Sequence, residues 1–215
     1  MIVRTLTVGP LEENAYLVVD ETTRRGVLID PGEEAERLLD AVRDERAELE
    51  AIWLTHGHMD HVGAIAAIVR ATPVPIHLHP HDRPIYDSAA QHGIVFGLRV
   101  EQPPPPDRPL ADGDTLHVGT LKFSVIHVPG HAPGHVAIHG NGVAFVGDCL
   151  FAGSVGRTDL PLASGAQLER SLERICALPD ETIVYPGHGP ATSVGRERRT
   201  NPFLTGTVRI TGLDR

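Results

Sequence analysis

Short apolar runs, separated by turns rich in glycine and proline, open the chain and predict strands. These runs are Ile2–Val8, Ala15–Val19 and Val27–Ile29. Between Leu38 and Leu49, apolar residues recur at near-helical spacing among charged ones, which predicts a helix. Three more elements follow: a strand at Ala51–Leu54, a helix at Val62–Val69 and a strand at Ile76–Leu78. A polar, helical segment is expected from there to Gly97.

A run of prolines, Pro103–Pro106, then interrupts the pattern. Because consecutive prolines cannot join the interior of a sheet or a helix, we interpret the run as an extended loop between two halves. After it, strands are predicted at Thr115–Val118, Leu121–Val128, Val136–His139, Val143–Val146 and Ile183–Tyr185. A helix is predicted from about Ala166 to Ala177. Two rounds of strands and helices predict an α+β fold, with helices covering the outer faces of two packed sheets.

Composition limits the classes of function. The chain has 215 residues, of which 41% are hydrophobic and 22% charged, as in ordinary globular proteins. Its formal charge of −9 and its 4% aromatic content argue against a nucleic-acid surface. Cys149 and Cys176 form no C-x-x-C pair, and no segment approaches the ~20 apolar residues of a membrane span. We therefore expect a cytoplasmic protein that acts on a small molecule, away from membranes and nucleic acids.

The segment His56–His61 packs three histidines and an aspartate into six residues directly after a predicted strand. Imidazole nitrogens and carboxylate oxygens are the ligands that zinc, iron and manganese sites use. Residues two apart on an extended chain point the same way, so His56 and His58 can bind one ion. Asp60 and His61 can then turn toward a second ion. The segment predicts a metal site, with two metals favoured over one.

Three later ligand candidates, His131, Asp148 and His188, each follow a predicted strand and lie beside glycine or proline. They bring the number of candidate ligands to seven. One aspartate can bridge two ions through its two oxygens, which leaves three further protein ligands for each ion. Such a site keeps positions open for water and substrate, as catalytic metal sites do.

The series Thr55–His61, His131, Asp148 and His188 resembles the metallo-β-lactamase superfamily. The resemblance implies a four-layer αββα sandwich with a site for two divalent metal ions between the sheet edges. It also implies the ligands of each ion: His56, His58 and His131 for one, Asp60, His61 and His188 for the other, and Asp148 between them. Asp30 resembles the family's strand-end aspartate, which supports the ligands without binding metal.

A closer likeness is to single-domain bacterial members of the glyoxalase II group. It is carried by the segments Gly147–Phe151, Gly153–Leu160 and Glu197–Leu204. Two-domain glyoxalase II enzymes add a helical C-terminal domain that helps to hold glutathione. The chain ends at Arg215, too soon after His188 for that domain, so we expect one domain over residues 1–215. Gly189-Pro190 also replaces the tyrosine that those enzymes carry after the last histidine.

These residues suit hydrolysis of a thioester. Two cations that share a water lower its pKa from 15.7 toward ~7, so a bridging hydroxide is available to attack a carbonyl. Asp60 can both bind metal and orient the nucleophile. A thiolate leaves easily, because the pKa of its conjugate acid is about 8.5. Arg157 is a candidate for binding a substrate carboxylate, and a structural ion pair with Asp159 is an equal alternative.

Other functions stay open from the sequence. A persulfide dioxygenase, which the segment Gly156–Asp159 also resembles, would hold one Fe(II) on His56, His131 and Asp148. A non-catalytic metal-binding module is a third hypothesis. Zinc is the expected metal, with iron or manganese as alternatives, because availability decides among them. The segment His77–His81 places two histidines on one strand face and could hold a metal by itself, but it lacks accompanying ligands at suitable spacing, so a structural role is favoured. The remaining histidines, including His127, are expected to be structural or on the surface.

Overall fold

The computed structural model describes residues 1–210. The short apolar runs of the first half form a sheet whose strands pair in chain order. They are β1 (Ile2–Val8), β2 (Glu13–Val19), β3 (Arg25–Ile29), β4 (Glu48–Trp53), β5 (Ile76–Leu78) and β6 (Arg108–Pro109). The first three strands are antiparallel, and the strands from β3 to β6 are parallel. The carboxyl ends of β3, β4 and β5 therefore lie at one edge of the sheet.

A second sheet forms from the strands after residue 110 and has the order β14-β13-β10-β9-β8-β7. These strands are β7 (Thr115–Val118), β8 (Leu121–His127), β9 (Val136–Gly140), β10 (Val143–Gly147), β13 (Ile183–Pro186) and β14 (Thr192–Ser193). A separate two-stranded hairpin, β11 (Leu150–Phe151) and β12 (Ser154–Val155), follows β10. The parallel pairing of β10 with β13 brings the carboxyl ends of these two strands together.

Seven α-helices accompany the strands within residues 1–210. They are α1 (Ala35–Asp44), α2 (Met59–Val62), α3 (Ile65–Ala71), α4 (Arg83–Tyr86), α5 (Ala89–Val95), α6 (Gly165–Cys176) and α7 (Val194–Thr200). A 3₁₀ turn at Pro80–Asp82 precedes α4. Helix α6 begins where the Ser164 hydroxyl accepts the backbone N–H of Gln167, a capping bond worth about 1 kcal/mol. None of these helices combines the length and apolar character needed to cross a bilayer.

Three layers of apolar side chains hold the elements together. The inner faces of the two sheets pack on each other, and there Trp53 meets Phe123 edge-on, with ring centroids 5.7 Å apart. The outer face of the first sheet packs against α1 and α3, through side chains such as Leu38 and Ile68. The outer face of the second sheet packs against α6 through Leu168 and its neighbours. The four-layer αββα sandwich that the sequence implied is therefore confirmed.

The position predicted for the proline run was wrong. Strand β6 follows Pro103–Pro106 and pairs with β5, so the run lies inside the first half of the chain. The two halves instead meet between β6 and β7. A strand of two residues has no periodic pattern, which explains why the sequence did not reveal it. The Pro104 carbonyl accepts the Tyr86 hydroxyl at 2.7 Å, which ties the run to α4.

Two element boundaries also differ from the prediction. Leu49 belongs to β4 and not to the preceding helix, which ends at Asp44. The helix expected over Val62–Val69 is two short helices, α2 and α3, separated at Gly63 and Ala64. Helix α2 therefore begins inside the histidine-rich segment itself, and Asp60 and His61 lie in its single turn.

Candidate metal centre

The predicted ligands meet at the edge where the strands of both sheets end. His56 and His58 follow β4, and Asp148 follows β10. His188 follows β13, and His131 lies in the loop after β8. Strand ends from both sheets thus converge on one place, although the ligands are spread over more than half of the chain.

The first trio consists of His56, His58 and His131, whose ring nitrogens can reach one ion. His58 Nδ1 lies 2.9 Å from His131 Nε2. His131 Nδ1 donates to the carbonyl of Arg157 at 2.9 Å, which leaves its Nε2 lone pair facing the site. His56 Nδ1 contacts the Thr55 hydroxyl at 3.0 Å, so its Nε2 also points inward.

The second trio consists of Asp60, His61 and His188. Asp60 Oδ2 lies 3.4 Å from His188 Nε2 and 3.9 Å from His61 Nε2. The other nitrogen of each ring is held by a different partner: His188 Nδ1 by the carbonyl of Leu11 at 3.1 Å, and His61 Nδ1 by Asp30 Oδ2 at 3.1 Å. Both rings therefore present Nε2 to the same point.

Asp148 lies between the two trios. Its Oδ1 is 3.5 Å from His61 Nε2, and its Oδ2 is 3.5 Å from His131 Nε2. The same Oδ2 is 3.6 Å from His188 Nε2. One carboxylate thus faces histidines of both trios, which is the position that a bridging ligand would take.

The donor atoms fit a pair of cations. Among the described residues, His56 Nε2, His61 Nε2 and Asp148 Oδ1 are buried and lack a hydrogen-bond partner. Buried polar atoms without partners are costly, so these three atoms suit bonds to metal. The backbone leaves room for them, because a Cβ on Gly187 would lie 2.1 Å from Asp148 Oδ1. The site thus consists of imidazole and carboxylate donors aimed at a shared space.

The electrostatics of the cluster also favour bound cations. Burial opposes charge on His61, but the Asp60 and Asp148 carboxylates raise its pKa well above the usual value. Burial likewise opposes charge on Asp148, yet the nearby histidines, His61 first, hold its pKa well below its usual range. Burial and the proximity of His131 lower the pKa of His58 to about 3, so this ring is neutral and free to bind metal.

Asp30 supports the ligands, as the resemblance implied. Its Oδ1 accepts the backbone N–H of Thr55 at 2.7 Å, and its Oδ2 accepts the Thr55 hydroxyl at 2.5 Å. The same Oδ2 faces His61 Nδ1, and a carboxylate there fixes the orientation of a metal-ligating ring. His135 has a related role: its Nε2 accepts the backbone N–H of Asp148 at 3.0 Å.

Asp82 is a supporting residue that sequence reasoning missed. This fully buried carboxylate accepts the backbone N–H of Gly57 at 2.7 Å and that of Gly134. One hydrogen bond holds the turn between His56 and His58, and the other holds the loop that follows His131. Burial raises the pKa of Asp82 to about 6, while the two N–H donors oppose that rise. Asp82 and Gly134 are 52 residues apart in sequence, so no local pattern could indicate the contact.

Strand β2 contributes a second support that the sequence did not reveal. The backbone N–H of Asn14 donates to the carbonyl of Gly187 at 2.7 Å, and the Tyr16 hydroxyl donates to that of Pro186 at 2.5 Å. These bonds fix the loop that carries His188. Glu13 is buried next to His61, with Oε1 3.6 Å from His61 Nδ1. Burial raises the pKa of Glu13 well above its usual value.

Arg157 lies at the rim of the cluster. Its guanidinium binds Asp159 through two contacts, Nε to Oδ1 at 2.6 Å and Nη2 to Oδ2 at 2.8 Å. The ion pair that the sequence offered as an alternative is therefore present. Both side chains are 58% exposed, so the pair remains open to solvent and to a ligand.

An αββα sandwich with two His/Asp clusters at one sheet edge defines a class of metal-dependent hydrolases. The chain belongs to the metallo-β-lactamase superfamily, because the profile of that superfamily matches residues 8–188. This result confirms the family that the histidine-rich segment and the later ligands resembled, and members of this fold bind divalent metals.

Individual relatives agree with this assignment. The chain is 36% identical to hydroxyacylglutathione hydrolase GloC of Haemophilus influenzae, over 95% of this chain and 98% of that protein. The crystal structure of TTHA1623 in a di-iron-bound form is 50% identical, has a TM-score of 0.88, and is matched over 94% of this chain and 100% of that one. The structure of ETHE1 from Myxococcus xanthus is 32% identical, has a TM-score of 0.81, and is matched over 96% and 85% of the two chains.

Proposed function

We propose that this chain is a thioester hydrolase of the glyoxalase II type, which acts on a small thioester such as S-lactoylglutathione with two divalent metal ions. The observation that carries the proposal is the position of Asp148, 3.5 Å from a histidine nitrogen of each trio. Two trios that share a carboxylate can hold two ions, of which zinc is the expected one and iron or manganese the alternatives. The similarity to GloC over nearly the whole of both chains supports the substrate class.

The ligand set has a clear chemical use. When bound, two such ions supply an activated water and polarise a substrate carbonyl. Asp60 is half-buried, with Oδ2 3.4 Å from His188 Nε2, so its carboxylate can also orient an incoming water. A thioester suits this site because its thiolate leaves without a proton donor.

Arg157 is the proposed anchor for a carboxylate of the substrate. Its backbone carbonyl accepts a hydrogen bond from His131 Nδ1, so the backbone that carries the guanidinium is fixed beside the first trio. The pairing with Asp159 is exposed, and exposed ion pairs contribute roughly 0–1 kcal/mol. A substrate carboxylate can therefore replace Asp159 at little cost.

A second candidate is a mononuclear Fe(II) persulfide dioxygenase, and the likeness to ETHE1 supports it. In that hypothesis His56, His131 and Asp148 hold the iron, and Asp148 Oδ2 is indeed 3.5 Å from His131 Nε2. The second trio would then have no metal to bind, which makes His188 the residue that separates the two functions.

The experiment measures metal content, hydrolysis of S-lactoylglutathione and oxygen uptake with glutathione persulfide on the same sample. The hydrolase proposal expects two metals per chain, thioester hydrolysis, and loss of that hydrolysis in His188→Ala. One iron per chain, with oxygen uptake that persists in His188→Ala, would replace it with the dioxygenase. Absence of both activities from metal-loaded protein would favour a non-catalytic metal-binding module.

A further inference from the structure

Three histidines outside the metal centre also lie together. His79 and His81 follow β5 of the first sheet, and His127 ends β8 of the second. One ring nitrogen from each lies within 4.8 Å of the other two. The rings of His79 and His127 are nearly parallel, at 7° with centroids 4.4 Å apart, and the ring of His81 stands edge-on to His79 at 4.9 Å. The sequence favoured structural or surface positions for these residues over a metal site, because the segment His77–His81 has no accompanying ligands at suitable spacing.

The surroundings of His127 leave one nitrogen available. Its Nε2 lies 3.0 Å from the carbonyl of Pro133, which can only accept, so Nε2 is the donor. The lone pair is therefore on Nδ1. An imidazole whose second nitrogen donates to a backbone carbonyl is the usual form of a metal-ligating histidine.

The other two rings can also offer a nitrogen to an ion. His79 is buried, and its Nδ1 accepts a long hydrogen bond of 3.3 Å from the backbone N–H of His81. At that length the hydrogen bond is weak and does not commit the ring to one tautomer. His81 is exposed, so the cluster opens to solvent on its side.

We propose that His79, His81 and His127 form a second metal site, separate from the centre already described. Three imidazoles select a transition-metal ion of the Zn²⁺, Cu²⁺ or Ni²⁺ class and disfavour Mg²⁺ and Ca²⁺, which prefer oxygen ligands. Asp112, which accepts the backbone N–H of His127 at 2.8 Å, is paired with Arg174 at 3.0 Å, so this carboxylate is engaged elsewhere and the site has three protein ligands.

An ion at this site would connect the two sheets. It would bind the 3₁₀ turn after β5 to the end of β8, and Asp82 is part of that turn. Because Asp82 holds the backbone of Gly57 and Gly134, the ion would also stiffen the two loops that carry the first trio. The proposed role of the second site is therefore to stabilise the framework of the metal centre.

The test is equilibrium dialysis of the full chain against ZnCl₂, with bound metal measured by elemental analysis. His81→Ala and His127→Ala are compared with the wild type, and His117→Ala is the matched control because His117 is exposed and lies outside the cluster. We expect both cluster variants to bind one equivalent less than the wild type, with no change in His117→Ala. Cu²⁺ loading adds an independent readout, since an EPR signal with nitrogen hyperfine coupling should disappear in His81→Ala.

Equal zinc stoichiometry in all four proteins would overturn the proposal. An equal loss in His117→Ala would do so as well, because it would reveal nonspecific surface binding. Loss of folding would not account for a lower zinc content, since the exposed ring of His81 can be removed without opening the core. Circular dichroism of each variant verifies that it is folded.

Discussion

His58 Nδ1 lies 2.9 Å from His131 Nε2, although 73 residues separate the two histidines in the chain. The other ring nitrogen of His131, Nδ1, donates a hydrogen bond to the carbonyl of Arg157. The Nε2 of His131 therefore has a lone pair that points at His58. Burial and this proximity lower the pKa of His58 to about 3, so the His58 ring is neutral at neutral pH. Two imidazole nitrogens this close together suit a cation that both of them bind.

The first prediction concerns His58→Ala, which removes a ligand of the first trio. We expect thioester hydrolysis to fall by at least about 100-fold, since loss of a merely supporting residue already costs 10–100-fold in metal affinity or activity. Bound metal should fall in parallel. Circular dichroism should not change, because His58 is only half-buried. Wild-type activity in His58→Ala would contradict the assignment of the first trio.

The second prediction concerns Asp60→Asn, which keeps the size of the side chain and removes its charge. We expect bound metal to decrease from two ions toward one, because Asp60 faces both His61 and His188 of the second trio. Hydrolysis should be lost while the melting temperature stays close to that of the metal-free wild type. Metal analysis and steady-state kinetics on one preparation provide the measurement, and full activity would refute the two-ion arrangement.

Long strands and the convergence of candidate ligands at strand ends could be predicted from the sequence, whereas short elements could not. The boundaries of β1 and β5 agree with the predicted runs. Strands β6, β11, β12 and β14 have two residues each, which is too short for an alternating pattern to appear. The proline run was misplaced for the same reason, because β6 after it had no signal of its own.

The cluster of candidate ligands was predictable because a histidine-rich segment is chemically unusual. The residues that hold these side chains in place were not predictable. Asp82 and Asn14 are ordinary polar residues in the sequence, and their partners at the metal centre lie 25 to 175 residues away. The cluster of His79 with His127 depends in the same way on the packing of two sheets. Contacts between distant segments are a property of the fold, and no local periodicity records them.

The third prediction concerns the rim residue Arg157. If its guanidinium binds a substrate carboxylate, Arg157→Ala should raise the KM for S-lactoylglutathione by about 10–100-fold, because hydrogen bonds to charged groups contribute roughly 1.5–3 kcal/mol. The effect on kcat should be small, since the lost contact stabilises the bound substrate and the transition state equally. Steady-state kinetics measure both constants.

Asp159→Asn is the control for that prediction. It weakens the same ion pair but leaves the guanidinium available, so we expect KM to stay constant or to fall. An increase in KM as large as that of Arg157→Ala would instead mean that the pair shapes the loop and that Arg157 does not touch substrate.

The fourth prediction concerns the pH dependence of stability and rests on Asp82. Burial raises the pKa of this carboxyl in the folded chain from 3.8 to about 6. A raised pKa means that the folded state favours the neutral acid. The stabilisation from this group is therefore complete below pH 3.8 and is lost as the pH rises through about 6. At about 1.4 kcal/mol per pKa unit, the loss is about 3 kcal/mol.

Asp82→Asn cannot titrate, so it isolates this contribution. We expect the wild type to be more stable than Asp82→Asn near pH 4, and the difference in free energy of unfolding to shrink by about 3 kcal/mol toward pH 7. Urea unfolding with a chelator in every sample measures the difference without a contribution from bound metal. Asp87→Asn is the matched control, because Asp87 is exposed and pairs with Arg83 on the next helical turn. Parallel pH profiles for the wild type and Asp82→Asn would show that Asp82 is ionised throughout, held by the N–H groups of Gly57 and Gly134.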